Sequence, residues 1–469
     1  MLTAMGIIVV PLGLYWFVRL NTRKLLYLFA VVTPFTAATI IEFKGSLFGM
    51  APAFFVSLLL MGAFFIRCLT GTSRIRICGL QKYCYLGFLF TWLHSLLTLL
   101  LPLILVLAGS DYILFNPAFN DQDYSGEIPA YTVTQFIYFT LFMVTSFIVA
   151  NETEELGIAK RCVSILMKVT IFSIVWGIIT YVLSFFGGLY PEWLFNNHPG
   201  YSHGFDQRIA ILRRISSIAQ EPSVYGYFLT IMITMVMVFN VLEFYPLKPA
   251  TQKTLLFIMI ITAILTTSTT AFLGIFIAIV LTLLVALASR RLGRALRYLA
   301  AQIGIMAVLF AGVFLTVINR LDLDLAGIVR GINELTVEKL QSESGVERSW
   351  SFFHGIQVLI DTYFMGSGFA SNRTFDLGST LLANTGIIGL SLFVVAFVIV
   401  ILFPALHLVK YRCNDDISKI MAGLVTALIT ALILMFVSVP DFVNMYFWLI
   451  LGMLMGVTGI KNNASLLRA

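Results

Sequence analysis

Charged side chains are scarce in this sequence of 469 residues, where Asp, Glu, Lys and Arg together make up 11% of the chain. Soluble globular domains carry about a quarter charged residues, so the composition excludes that class. The sequence also lacks the alternation of apolar and polar residues that strands of a membrane barrel require. Hydrophobic residues account for 59% and form continuous runs. Because backbone groups in hydrocarbon must bond within their own segment, these runs predict an all-α polytopic membrane protein.

Cysteine is also scarce, with five residues in the chain. All five fall in or beside loops that the charge pattern assigns to the cytoplasm, where thiols stay reduced. None has the spacing of a metal site. The cysteines are Cys68, Cys78, Cys84, Cys162 and Cys413.

Windows of about 20 apolar residues predict 12 to 13 membrane-spanning helices. The first run lacks a basic n-region and a small-residue cleavage site, so we expect it to be retained as a span. The pair of runs around residues 266–270 is compatible with one long broken helix. The candidate spans are 5–18, 25–42, 47–67, 83–107, 131–150, 162–187, 223–242, 254–268, 270–288, 298–317, 379–407, 420–438 and 441–458.

Lysine and arginine set the expected orientation, because they are enriched in cytoplasmic loops. Most of them fall in alternate loops, and the acidic residues favour the opposite face. The pattern puts the N-terminus outside and the C-terminus in the cytoplasm, with two large external loops. We read the net charge of +7 as the basic cytoplasmic loops rather than a nucleic-acid interface. The predicted parts are helices in 1–187, a loop at 188–222, helices in 223–317, a loop with an amphipathic helix at 318–378, and helices in 379–469.

Arginines in the two large external loops go against this trend, which suggests an anionic ligand on that face. A guanidinium is always charged and can grip phosphate oxygens in pairs. The alternatives are pairing with external carboxylates or with phospholipid headgroups. For Arg214 and Arg348 together we favour a functional role.

Three motifs in residues 208–395 resemble the superfamily of oligosaccharide repeat-unit polymerases and O-antigen ligases. The first is Arg213-Arg214-Ile-Ser-Ser-Ile-Ala-Gln-Glu221-Pro222-Ser223, which opens a span. The second is Ser268-Thr-Thr-Ala-Phe-Leu-Gly. The third combines Arg348-Ser-Trp, Phe364-Met-Gly-Ser-Gly-Phe and Thr380-Leu-Leu-Ala-Asn384-Thr-Gly-Ile-Ile-Gly.

The resemblance implies a membrane glycosyltransferase of GT-C-like architecture in a bacterial inner membrane. Its substrate would be an undecaprenyl-diphosphate-linked oligosaccharide at the periplasmic face, with no cofactor or required metal. The ligase branch carries a histidine near the end of its large loop, and residues 372–380 contain none. We therefore favour the Wzy-type polymerase branch, which builds O-antigen, capsule or exopolysaccharide. The alternatives are a ligase that transfers glycan to lipid A core and a flippase of lipid-linked sugars.

Four residues are the candidate catalytic groups. The resemblance gives roles to Arg214 and Arg348, whose charge would stabilise the leaving diphosphate. Glu221 and His354 are the candidates for the base that takes a proton from the attacking hydroxyl. Glu221 has an alternative role as a charge partner of the arginines or as a cap of the following span. His354 lies on a predicted amphipathic helix of the kind that binds the bilayer interface.

Further residues of the same motifs are predicted to bind the substrate. These are Arg208, Arg213, Tyr225, Trp350, Arg373 and Asn384. A minority interpretation assigns a divalent ion to the acidic pairs Asp121/Asp123 and Asp322/Asp324. The expected partners are membrane lipids and, by resemblance, a chain-length regulator and a repeat-unit flippase, with no nucleic acid.

Overall fold

Helices dominate the computed structural model. It describes residues 1–42, 49–75, 81–109, 113–114, 122–123, 130–183, 191–199, 208–209, 212–304, 307, 343–438 and 444–466. The helices are α1 (Ala4–Val18), α2 (Thr22–Val32), α3 (Pro52–Leu69), α4 (Gln81–Thr98), α5 (Leu101–Leu107), α6 (Ala130–Glu152), α7 (Leu156–Leu183), α8 (Glu192–Phe195), α9 (Pro222–Leu242), α10 (Pro249–Leu265), α11 (Thr269–Ala288), α12 (Glu343–Asp361), α13 (Leu377–Tyr411), α14 (Asp416–Val437) and α15 (Met445–Leu466). Residues 292–304 are also helical.

Three antiparallel pairs of two-residue strands connect some of these helices. Each pair is a local hairpin, so none forms a layer of the fold. They are β1 (Ile41–Glu42) with β2 (Gly49–Met50), β3 (Ile113–Leu114) with β4 (Gln122–Asp123), and β5 (Arg208–Ile209) with β6 (Leu212–Arg213).

Within the described residues, eight helices are long and apolar enough to cross a membrane, and three shorter apolar helices accompany them. This confirms an all-α protein with many potential spans. The runs on either side of residues 266–268 form two helices, α10 and α11, joined by a turn. Most of the predicted span 298–317 lies outside the described residues.

The predicted span 25–42 is not one continuous helix, because α2 ends at Val32 and the chain reaches the arginine end as irregular backbone. Pro34 has no N–H to donate to the carbonyl of Ala30, which accepts from the Thr33 hydroxyl at 3.3 Å instead. Eleven residues of helix reach only about 16 Å, which is half of a hydrocarbon core. The apolar residues that follow are buried as irregular backbone. Ala37 bonds to loop residues there, donating to the Ile218 carbonyl and accepting from the His198 N–H.

Helix α9 is the centre of the bundle, since nearly all of its residues are buried. It packs closely on α11, where the position of a Cβ on Gly274 would lie 2.6 Å from the Thr230 side chain. Gly423 of α14 makes a similarly close approach to Phe239. A helix that is apolar on all sides is stable only when neighbours surround it. The segments that flank α9 therefore sit at a well-fixed position in the fold.

Contacts between loops distinguish two ends of the bundle. One, the ion-pair end, is defined by Arg23–Glu155 at 2.7 Å, Lys160–Asp416 at 2.6 Å and Arg294–Glu243 at 2.6 Å. The other, the arginine end, is defined by the bonds of Ala37 and by the segment 213–221 that leads into α9. The predicted external arginines 213, 214 and 348 are all at the arginine end.

Candidate functional site

The segment before α9 holds Arg214 against the turn between α10 and α11. The Arg214 Nε donates to the Thr266 carbonyl at 3.0 Å, and the next residue, Ile215, donates its N–H to the Leu265 carbonyl at 3.3 Å. Burial lowers the pKa of the Arg214 guanidinium from its ordinary value, and the negative charge of Glu221 opposes this shift. The guanidinium is still a cation, but one with little water around it, and such a cation favours an anionic ligand.

The turn itself is strained. Thr267 has φ +48°, a left-handed conformation that is unfavourable for a β-branched residue. Its hydroxyl donates to the Thr266 carbonyl at 2.8 Å, so that oxygen accepts from both Thr267 and Arg214. Local strain of this kind is kept where surrounding contacts over-determine the backbone.

Arg348 lies on α12 and is linked to the start of α11 through Ser438. Its Nη1 is 3.4 Å from the Ser438 hydroxyl, and its guanidinium carbon is 5.8 Å from the centre of the Phe375 ring. The Ser438 hydroxyl is in turn 2.5 Å from that of Thr270, at the start of α11. Arg348 is half-buried between α13 and the end of α14.

The two arginines are thus joined through one turn, although they are 134 positions apart in the chain. Thr266 and Thr270 are four residues apart, so their Cα atoms lie within about 14 Å of each other. One guanidinium bonds directly to Thr266 and the other bonds through Ser438 to Thr270. Both arginines are therefore linked to residues 266–270 at the arginine end, and a guanidinium there can bind an anionic group.

A small cleft lies beside Arg214. Arg213, Arg214, Ile215 and Ser216 line one side, and Gly177, Thr180 and Tyr181 of α7 line the other. Its space is about 220 Å³, including open solvent. Gly177 allows this approach, because a Cβ there would lie 3.1 Å from Ile215 and Ser217. The cleft therefore lies between the segment that carries the two arginines and residues 177–181 of α7, where Thr180 and Tyr181 line it.

Glu221 occupies the N-cap position of α9, but its side chain makes no capping bond. It is exposed, and its Oε2 accepts from the Ser223 hydroxyl at 3.1 Å. Its charge acts on Arg214. Both roles that the sequence suggests, base and charge partner, are compatible with this position.

His354 is not on the same side of α12 as Arg348. Six residues of helix turn through about 600°, which leaves the two side chains about 120° apart. The His354 ring stacks on Trp350 at 5.1 Å between ring centres, and Trp350 itself is largely exposed. The geometry favours Glu221 over His354 as the group that acts beside Arg214.

Two of the predicted substrate-binding residues are buried. Tyr225 has no exposed surface, and its hydroxyl is 3.2 Å from that of Ser173 in α7. Asn384 accepts from the Asn372 N–H at 2.7 Å and donates to the Asn372 carbonyl at 2.8 Å. Asn384 thus holds the backbone at Asn372, and Tyr225 joins α9 to α7.

The remaining predicted binding residues lie at the edge of the site. Arg373 is exposed, two positions before Phe375. The backbone of Arg208 pairs with that of Arg213 in the β5–β6 hairpin, which brings the two strands together beside the cleft. The side chain of Arg208 lies outside the described residues.

The sequence did not assign roles to Thr266, Thr270 or Ser438. A signal existed for the first two, because residues 266–270 carry five hydroxyl groups between apolar spans. Ser438 gave no signal, since a serine at the end of a span is ordinary. Only the fold brings it between Arg348 and Thr270.

No group of three or more His, Cys, Asp or Glu side chains that could hold a metal ion occurs within the described residues. Asp123 is in β4, and Asp121, Asp322 and Asp324 lie outside the described residues. The two acidic pairs therefore stay a sequence prediction.

Neither the models of protein families nor the curated proteins give a match.

Proposed function

We propose that the protein is a membrane glycosyltransferase that joins lipid-diphosphate-linked oligosaccharide repeat units, at the periplasmic face of a bacterial inner membrane. The observation that carries the proposal is that two guanidiniums lie at the arginine end, Arg214 bonded to Thr266 and Arg348 linked through Ser438 to Thr270. The order of the three sequence motifs supports the same class. In this proposal the chain crosses the membrane 12 to 13 times, with a GT-C-like arrangement and both large loops outside.

The chemistry needs a cationic site and a proton acceptor. The bond between the anomeric carbon and the diphosphate oxygen breaks, and a new bond forms from that carbon to an acceptor hydroxyl. The hydroxyl proton passes to a base, for which Glu221 is the candidate, and the lipid diphosphate leaves with added negative charge. Arg214 and Arg348 stabilise that charge, which is greater in the transition state than in the substrate.

A transporter of lipid-linked sugars is the rival from another class, and one observation favours it. Helix α13 is broken at Gly386, and broken helices occur at the binding sites of transporters. However, the groups freed by this break are bonded within the protein. Ser367 and Gly368 donate to the carbonyls of Ala383 and Asn384. The carbonyls at the break are therefore occupied by the loop before α13. We keep the glycosyltransferase as the proposal.

The direct test uses purified protein with lipid-linked repeat units. Formation of a ladder of polymers on a gel supports the proposal. If the glycan instead appears on added lipid A core, the protein is a ligase. If lipid-linked sugar only crosses the bilayer of a proteoliposome, with no new glycosidic bond, the transporter is correct.

We expect the arginine end to face the periplasm. Trp193 is exposed on α8, and the variant Trp193→Cys should react with an impermeant thiol reagent in intact spheroplasts. Ser73→Cys, just beyond α3 at the ion-pair end, is the matched control and should react only after lysis. The reverse pattern would invert the orientation.

We expect a chelator to leave polymerisation largely intact, because the proposed site meets the diphosphate with guanidinium groups. The measurement is the polymer ladder with and without EDTA. A ladder that disappears with EDTA and returns with Mg²⁺ or Mn²⁺ would contradict this, and would direct attention to the two acidic pairs.

A further inference from the structure

Helix α12 has three distinct sides. Positions 348, 355 and 362 repeat every seven residues and face the protein, where a Cβ on Gly355 would lie 3.1 Å from Ser379 of α13. Positions 347, 354 and 361 are Glu, His and Asp. The third repeat is Val346, Phe353 and Ile360, which are 57%, 68% and 52% exposed. One flank of α12 is therefore polar and the other is apolar; the apolar flank is exposed throughout, and the polar flank is exposed at Glu347 and Asp361, with His354 half-buried between them.

The apolar flank continues into the next turn and onto α13. Tyr363, Phe364 and Met365 follow Ile360 and are 80%, 54% and 49% exposed. Ile387 donates its N–H to the Phe364 carbonyl at 3.2 Å, and its side chain and that of Ile388 are exposed as well. Apolar side chains that are continuous with a membrane-spanning helix indicate contact with the same lipid.

The depth of each end of α12 in the membrane follows from the length of the helix that this end contacts. Gly386, beside Phe364, is 25 residues from the end of α13 at Tyr411, or about 38 Å along a helix. Arg348 contacts Ser438, which follows the 22 residues of α14, about 33 Å long. Both distances slightly exceed the hydrocarbon thickness of about 30 Å. Each end of α12 therefore lies at the boundary between hydrocarbon and headgroups.

We infer that α12 lies along the bilayer interface, with the flank Val346–Phe353–Ile360 in lipid and the exposed carboxylates of the polar flank, Glu347 and Asp361, in water. Tryptophan and tyrosine are enriched at this depth, and Trp350 and Tyr363 border the apolar flank. This position does not depend on the proposed function. If that function is correct, it holds Arg348 at the depth of lipid phosphates, where the diphosphate of a membrane-bound donor lies.

Fluorescence in bilayers with brominated lipid chains tests this position. Phe353→Trp adds one indole to the apolar flank, and Glu347→Trp, the matched control, adds one to the polar flank. Each is compared with the wild-type protein in proteoliposomes with and without brominated phosphatidylcholine. We expect the emission added at 353 to be blue-shifted and quenched, and the emission added at 347 to be red-shifted and unquenched.

Other outcomes would overturn the inference. Emission at 353 that is red-shifted and unquenched would place this flank in water. Emission that is blue-shifted but unquenched would mean that protein, such as a second copy of the chain, covers it. Val346→Trp repeats the measurement one heptad earlier if Phe353→Trp does not insert. Since no glycan is involved, these results are independent of whether the protein forms polymer.

Discussion

Replacing Arg214 or Arg348 by alanine should lower the rate of polymerisation about 30- to 1000-fold, because each loss removes roughly 2–4 kcal/mol of transition-state stabilisation. The expected size follows from the environment of the two groups. Arg214 is partly desolvated against Thr266, and Arg348 is held by Ser438 and Phe375. A charge in such a place interacts more strongly with a developing anion than one in water.

Lysine at either position should restore only part of the rate. It keeps the charge but loses the planar pair of donors, and at position 214 it also loses the Nε that bonds to Thr266. In the proposed mechanism both arginines act on one leaving group, so the double alanine variant should lose less than the sum of the two free energies. The measurement is the polymer ladder from inserted, normally expressed variants.

Controls separate this site from a general need for positive charge. Arg74→Ala removes an exposed arginine at the ion-pair end and should leave the ladder unchanged. Ser438→Ala should lower the rate less than Arg348→Ala, since it removes one contact of the guanidinium and keeps the charge. Ser438→Thr keeps the hydroxyl and should leave the rate near that of the wild type. Near-normal ladders from both single arginine variants would refute the two-arginine site.

Much of the fold could be predicted from hydropathy, because long apolar helices are the one local solution for backbone in hydrocarbon. The prediction of one helix over 25–42 fails for a local reason. Thr33-Pro34 interrupts an apolar run, and the residues beyond it are buried by contacts with His198 and Ile218. Hydropathy shows that a segment avoids water. It does not show whether that segment is helical or is irregular backbone buried in the protein.

The candidate site was only partly predictable for a different reason. Arg214 and Arg348 were recognisable because charge is rare in this chain. Their connection was not, since it depends on Ser438, which comes from a third part of the sequence. Tyr225 and Asn384 belong to the same motifs, and in the structure both side chains are buried and bonded within the protein, which their place in a motif did not predict. Motif membership alone does not distinguish these two roles.

Gly386→Ala should prevent α13 from adopting its broken form, and we expect it to be strongly destabilising. Gly386 has φ +65° and ψ −168°, a region that is essentially restricted to glycine. A Cβ there would lie 2.2 Å from the Phe364 carbonyl oxygen, which is backbone and cannot move aside cheaply. Strain and clash together should cost at least about 3 kcal/mol.

The break is also the point at which several elements are bonded together. The Thr385 carbonyl accepts from His94 Nε2 of α4 at 2.9 Å, and Ile387 donates to Phe364. Forcing a regular helix through residue 386 would break the bonds that hold α13 to α4 and to the turn after α12. The loss should therefore appear both in the thermal stability of detergent-solubilised protein and in the polymer ladder.

Gly293→Ala is the matched control, because a Cβ there meets nothing within 4 Å and its φ is not positive. It should leave the unfolding temperature within the small range of ordinary surface changes. Equal unfolding temperatures for the two variants would show that α13 tolerates a continuous helix at residue 386. In that case the arrangement of α12 against α13, and with it the position of Arg348, would not depend on the break.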